Sequence, residues 1–394
     1  MKAYPASLYI HIPFCKRKCD YCDFYSICDS SIELDLLEQI PRQIELLKKQ
    51  FNLDLFKTVY LGGGTPGLIG SESLSGLLLS VQKINKSFLP SEITLECNPS
   101  NVTVEKMKAW KDMGITRISL GVQSFQDVFL KKAGRLSSRE LILKALTLLK
   151  EASCFELNID LIQGLPGMRG EDQLKDLEEA LSWKPDHISW YSLILENGTV
   201  LEDSWEDRNG SLVEDNDLSW ESGCLFLENA GYERYEISNF CREGKKSLHN
   251  SSYWKLDPYL GCGPSAVSML KDSSGLIRRF RTRADALNYS RGKFEYEDCE
   301  SITSIDFLKD YLLMGLRLSE GIHLQTFEGI FGKTASELFP CSLKRWIERE
   351  CLIQDCFSIR PSSRGMNLLN SILISIFEEL DEQKSPLSLR WPSE

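Results

Sequence analysis

The sequence has no excess of basic residues: 46 Lys and Arg stand against 57 Asp and Glu, for a net charge of −11. A general nucleic-acid binder presents a basic surface, so this balance argues against one. No apolar run reaches the ~18 residues that a membrane-spanning helix needs. No basic-then-apolar leader precedes the first strand, which is expected to begin by Ser7. No internal repeat is visible beyond an alternation of strand and helix patterns. What the chain does have is cysteine, thirteen in all. Without an export signal, that number points to a reducing compartment and so to the cytoplasm. The hydrophobic content of 42% and charged content of 26% are ordinary globular values. The length of 394 residues allows about two domains at ~150 residues each.

The most informative cysteines are Cys15, Cys19 and Cys22, spaced C-x3-C-x2-C directly after the apolar stretch Leu8–Ile12. Three thiolates on a loop leaving a strand can hold three irons of a cubane iron–sulfur cluster. The fourth iron then has no protein ligand and is open to chemistry. Half of a zinc site is one alternative, but zinc takes four ligands, usually as two tight pairs, and no second pair follows. His11, the nearby imidazole, falls inside the expected strand. Unrelated buried thiols are the other alternative.

Short apolar, β-rich runs alternate with amphipathic segments. Strands are expected at Leu8–Ile12, Thr58–Leu61, Ile93–Glu96, Arg117–Val122, Phe155–Ile162 and His187–Leu193. Helices are expected over Ser31–Phe51, Ser71–Phe88, Thr103–Met113, Ser138–Ala152 and Glu171–Trp183. This is a βα repeat with parallel strands, and six units suggest an open, partial (β/α)6 barrel of the α/β class. Functional residues then belong at the C-terminal ends of strands. Residues 197–222 are acidic and read as a solvated loop followed by a helix. From about 300 the pattern changes to helices over Phe307–Leu318, Thr326–Leu338 and Leu343–Glu350. A strand or wing over Leu352–Arg360, a last helix over Arg364–Glu379 and a loose tail, Gln383–Glu394, complete it.

Several polar residues fall where the apolar runs end. Gly63, Gly64 and Thr65 follow the second strand in a glycine-rich loop whose amides can approach a ligand closely. Glu96, Gln123 and Asp160 end the third, fourth and fifth strands. Each alone reads equally well as a loop cap, and the glycine loop as a turn. Together they form a ring of donors and acceptors suited to a ribose and an ammonium group.

At these motifs the chain resembles the radical S-adenosylmethionine (SAM) superfamily. The string Leu8–Phe24 is similar to the branch that contains oxygen-independent coproporphyrinogen III oxidases and HemW-type heme chaperones. The resemblance implies a [4Fe-4S] cluster on Cys15, Cys19 and Cys22, with the open iron chelated by SAM. In the superfamily an electron from the cluster cleaves SAM to methionine and a 5′-deoxyadenosyl radical. The resemblance assigns Gly63, Gly64, Thr65, Glu96, Gln123 and Asp160 to SAM, together with Arg135 and Tyr9. Gln163 departs from the Tyr usual in its string.

A second motif, His249-Asn250-Ser251-Ser252-Tyr253-Trp254, resembles the heme-binding HNxxYW element of the chaperones. His ligates heme iron, and Tyr and Trp stack on a porphyrin face. The plainer reading is a loop that packs a lid. Val267 stands where the family usually carries His. Arg278, Arg279, Arg281 and Arg283 can pair with heme propionates or form a solvated basic strand edge. Two functions compete. One is a heme chaperone that delivers heme to an apo-hemoprotein acceptor. The other is the oxidase, which decarboxylates coproporphyrinogen III. Phe24, where the oxidases have a fourth Cys, the HNSSYW motif and the short stretch before Cys15 favour the chaperone and argue against oxidase activity. The expected domains are a barrel with its extension, 1–295, and a winged-helix-like C-terminal domain, 296–394. Nucleic acid is not an expected partner; a homodimer and transient membrane contact stay open.

Overall fold

A computed structural model describes residues 3–86, 89–204, 211–382, 387, 389 and 390, with the backbone alone for 204 and 211–218. Six strands follow one another in space as in sequence: β1 (Tyr4–Ile12), β2 (Leu53–Gly63), β3 (Glu92–Cys97), β4 (Arg117–Gln123), β5 (Glu156–Gln163) and β6 (His187–Ser192). Each pairs in parallel with the next. Parallel strands need crossover connections. Helices Glu33–Gln50, Ser71–Ile84, Val104–Asp112, Arg139–Ala152 and Gly170–Ser182 supply them. Two of these helices begin at capping side chains: Thr103 accepts from the Lys106 amide, and Ser138 from the Leu141 amide. Most residues of the strands are buried, all of them in β4, because helices cover the sheet. Hence they read as apolar runs without a clean alternation.

The sheet extends beyond the six strands. On one side β7 (Glu233–Arg234) and β8 (Asn239–Cys241) add antiparallel to β6. On the other, β9 (Tyr259–Cys262) pairs parallel to β1, and β10 (Val267–Lys271), β11 (Ile277–Thr282) and β12 (Tyr296–Ile302) continue antiparallel. The resulting twelve-stranded order starts at β12 and ends at β7 without closing. The barrel is therefore open and partial, as expected. Arg278, Arg279 and Arg281 lie in β11 and Arg283 just past it; β12 pairs on the outer side of β11, so the segment is not the sheet edge.

The C-terminal part folds around its own apolar cluster, from Phe307 to Leu380, joined by Met269, Ile277 and Ile302 of the sheet extension. Its helices carry a small antiparallel sheet of β13 (Ile322–His323), β14 (Leu352–Gln354) and β15 (Ser358–Pro361), with β15 in the middle. The helix expected over Thr326–Leu338 is two, Leu324–Phe331 and Ala335–Leu338, because Gly332 takes the left-handed C-terminal position at φ 68°. The last helix, expected over Arg364–Glu379, is likewise two: Ser363–Asn367 and Leu369–Glu382. In the acidic stretch, helices Val200–Ser204 and Ser211–Asn229 flank residues outside the described set. The expected helix end at Phe88 and most of the tail Gln383–Glu394 also lie outside it. Among the described residues no helix is long and apolar enough to cross a membrane.

Candidate functional site

The C-terminal ends of β1–β6 open into a cleft lined by Cys15, Cys19, Cys22, Gly63, Gly64, Thr65, Glu96, Gln123, Arg135 and Asp160. All the expected cluster and SAM residues except Tyr9 thus meet in one place. The geometry that brings them there is local. The loop after β1 is pinned by Cys15 N donating to Ile27 O (2.9 Å) and by Ile27 N donating to Pro13 O (2.8 Å). Gly64 N donates to Ile12 O and Thr65 N to Phe14 O, both at 2.9 Å. Gly63 N donates to Glu96 Oε2 at 3.2 Å. The amides of the glycine loop, which the sequence offers to a ligand, are therefore engaged within the protein. The glycines serve close packing. A Cβ on Gly63, at φ +107°, would lie 2.6 Å from the His11 ring, and one on Gly64 would lie 2.7 Å from the Phe14 carbonyl oxygen.

The three thiols are unpaired. Thr65 Oγ1 lies 3.6 Å from Cys15 Sγ, and Arg135 Nη1 donates to Cys19 Sγ at 3.5 Å. Among the described residues no three His, Cys, Asp or Glu side chains gather as a single metal ion requires. A cubane, in contrast, takes its thiolates at separate corners. The buried Nε of Arg135 has no partner within the protein, although its Nη2 donates to Asn98 Oδ1 at 2.9 Å. An orphaned buried donor beside the thiols is what a cleft for an anionic group provides. The residues present thus fit a cluster with a small carboxylated ligand.

The acidic members are held by networks. Glu96 accepts from Tyr60 Oη at 2.8 Å, and burial pushes its carboxyl up to about 7, against the lowering bonds from Tyr60 and Gly63. Asp160 accepts from Ser119 Oγ at 3.0 Å and from Asn158 Nδ2 at 2.7 Å. Burial raises its pKa, and these bonds and Ser189 oppose the shift. Asn158 Oδ1 meets His187 Nδ1 at 2.6 Å, and His187 Nε2 meets Tyr235 Oη at 2.9 Å. Gln123 sits at φ +70° where the β4–β5 register slips, and its Oε1 accepts from Tyr191 Oη at 3.1 Å. A non-glycine residue in that region is strained. The slip re-aims the side chain at the strand end. Tyr60, Asn98, Asn158, His187 and Tyr191 carry no motif, and only their place on or just past strands that end at the cleft marks them.

A second cavity, of about 500 Å³, adjoins the first and shares Glu96 and Phe24 with it. Tyr9, His11, Tyr25, Tyr60, His249, Asn250, Tyr253 and Tyr259 line it, with Val267 and Arg281 on the β10–β11 side. Tyr9 therefore faces this cavity, where its Oη lies 3.1 Å from His11 Nδ1. The HNSSYW segment is a helix, Leu248–Trp254, and not the expected loop. Ser247 caps it, and the buried Glu92 accepts from the Leu248 amide (2.9 Å), the His249 amide (3.0 Å) and Ser247 Oγ (3.2 Å). Helical spacing puts His249 and Tyr253 on one face, with His249 Nε2 3.1 Å from Tyr253 Oη. It turns Trp254 about 100° from Tyr253. Trp254 instead lines a separate crevice with Tyr311, His323 and Phe357, under the guanidinium of Arg317. His249 Nδ1 lies 2.9 Å from Thr58 Oγ1, and burial lowers its pKa to about 3, so the imidazole is neutral.

Residues 9–181 match the family model of the Radical SAM superfamily, and residues 302–368 that of the HemN C-terminal domain. The heme chaperone HemW of Haemophilus influenzae is 33% identical over 378 residues, which cover 94% of this chain and 97% of that protein. This chain belongs to the HemW family. The Bacillus subtilis heme chaperone HemW is 31% identical over 382 residues, 95% of this chain and all of that protein. The mitochondrial radical S-adenosyl methionine domain-containing protein 1 of Mus musculus is 30% identical over 399 residues, covering 96% of this chain and 88% of that protein. The fold is similar to that of coproporphyrinogen III oxidase (HemN) from Escherichia coli, with a TM-score of 0.78 at 21% identity over 95% of this chain and 90% of that one. Membership of the radical SAM superfamily implies a [4Fe-4S] cluster and SAM.

Proposed function

We propose that this chain is a heme chaperone that holds a [4Fe-4S] cluster with SAM, binds heme, and delivers the heme to an apo-hemoprotein acceptor. The observation that carries the reading is the aromatic, imidazole-lined cavity beside the cysteine cleft. Its volume of about 500 Å³ is within the range of small-molecule sites. Cys15, Cys19 and Cys22 would hold the cluster, and Gly63, Gly64, Thr65, Glu96, Gln123, Arg135 and Asp160 the SAM. Such a cluster supplies one-electron chemistry to the SAM sulfonium. The protein's part is to orient and to exclude water. Arg135 neutralises charge beside Cys19, Glu96 and Asp160 offer carboxylates held by Tyr60, Ser119 and Asn158, and Tyr9 and Tyr60 wall the cleft from the second cavity.

His249, Asn250 and Tyr253 would bind heme, with Trp254 outside the cavity proper. His249 is the axial donor in this reading. Thr58 fixes Nδ1, which leaves Nε2 to coordinate once the Tyr253 hydroxyl moves away from it. The neutral imidazole is in the state that ligates a metal. The cytoplasm suits the reading, since the thirteen unpaired cysteines call for a reducing compartment. The division into 1–295 and 296–394 belongs to it too, supported by the apolar cluster that the C-terminal helices build from Phe307 to Leu380, which Met269 and Ile277 of the sheet extension join, while β12 still pairs within the large sheet.

The oxidase reading has the likeness of fold, which does not carry activity. Against it stands Phe24, exposed at the junction of the two cavities where the oxidases have a fourth Cys. The test is to incubate the anaerobically prepared, cluster-loaded protein with SAM, a reductant and coproporphyrinogen III, and to follow heme retention in parallel. Heme retained and no protoporphyrinogen formed is the expected result. Robust turnover would overturn the chaperone reading.

A further inference from the structure

The second cavity has aromatic walls but very few charged groups. Asp23 and Glu96 are acids, and among the described residues Arg281 is the one permanent cation that lines it. The other arginines of the segment do not line it and are held elsewhere. Arg278 is bound by Asp272 and Ser301, Arg279 by Asp310 and Glu300, and Arg283 by Glu295. Arg281 pairs with Asp298 through Nε alone, at 3.2 Å, and both side chains are substantially exposed. Asp298 itself sits at φ +51°, where the β11–β12 register slips. That pair is a rim contact of low worth, and it leaves both Nη groups for another acceptor. On the neighbouring strand, Val267 is the direct antiparallel partner of Arg281, so the two side chains share one face of the sheet and one wall of the cavity.

We propose that Arg281 anchors a carboxylate on the edge of the macrocycle bound in this cavity, with Val267 as the apolar surface beside it against which the ring edge packs. The assignment rests on the heme-binding reading above and adds to it the group that recognises the acidic side of the ligand. A guanidinium fork matches a carboxylate in two parallel bonds, whereas an aromatic wall recognises only the ring. The cavity would thus orient a porphyrin with a carboxylate at the β10–β11 side and the metal toward His249.

The test separates this assignment from the reading beneath it. Heme and heme dimethyl ester, whose propionates are esterified, are each titrated by Soret absorbance into wild type, Arg281→Gln, Arg281→Lys and Arg283→Gln. Wild type and Arg283→Gln are expected to bind the ester roughly tenfold more weakly than heme. Arg281→Gln is expected to bind heme about as weakly as wild type binds the ester, and to lose the preference for the free acid; Arg281→Lys recovers part of it. Wild-type affinity or an undiminished preference in Arg281→Gln overturns the anchor while leaving the chaperone reading intact. No saturable binding of either porphyrin by wild type overturns both.

Discussion

At the scale of single residues, the site depends on carboxylates that the fold keeps under strain of burial. Burial raises the Asp160 pKa, and the bonds from Ser119, Ser189 and Asn158 oppose that shift. Asn158 in turn is held by His187. Asn158→Leu removes a donor to a buried charged group, which costs about 1.5–3 kcal/mol. SAM affinity of the cluster-loaded variant is expected to fall roughly ten- to hundredfold, as read by calorimetry, with iron content unchanged. Glu96 makes a pH prediction. Its folded pKa of about 7 lies above the ordinary 4.5, so the folded state binds the proton more tightly than the unfolded one. The stability that this confers is complete below pH 4.5 and is lost as pH rises through about 7. The difference in unfolding free energy between wild-type and Glu96→Gln apoprotein should shift by about 3 kcal/mol or less across that window. A flat difference would contradict the burial argument.

At the scale of elements, the helix Leu248–Trp254 is where sequence and structure part. The residues of HNSSYW are legible as a string, but what they do depends on a buried glutamate 155 positions before Ser247. Glu92 caps this helix from β3, so that His249 and Tyr253 meet and Trp254 turns away. Glu92→Ala leaves the Leu248 and His249 amides without their partner and is expected to lower stability by ~1–3 kcal/mol. Heme affinity should fall with it, checked by chemical denaturation and Soret titration; unchanged values in both would remove Glu92 from the site. The parallel strands and their cross-over helices were legible, since apolar runs and amphipathic segments are local signals. The short strands β7–β12 were not. Two to seven residues long, they owe their state to the neighbour they pair with. The cysteine cleft was legible because most of its residues lie near or just past strand ends, a position that sequence marks; Arg135, beyond the helix Asp127–Lys132, was reached only through the family resemblance. Tyr9 lies on the side of the second cavity, which shares Glu96 with the cleft, because pleat alternation can aim it to either side of the sheet and packing decides which.

At the scale of the whole molecule, a twelve-stranded open sheet sets two cavities side by side. The parallel half builds the cluster cleft, and the antiparallel extension with the helix Leu248–Trp254 builds the second wall. Glu96 and Phe24 belong to both, so a ligand in one lies next to a ligand in the other. The central claim is that the second cavity is where heme binds. Asn250, half-buried on its wall, offers the most direct measurement. Asn250→Trp fills the cavity without touching Cys15, Cys19 or Cys22, and heme is titrated anaerobically into cluster-loaded wild type and variant. Saturable Soret binding by wild type, and affinity weaker by more than about tenfold, or ~1.4 kcal/mol, in a variant that keeps its iron and its SAM affinity, is the predicted result. Equal heme affinity in the two proteins, or none in wild type, would contradict the account.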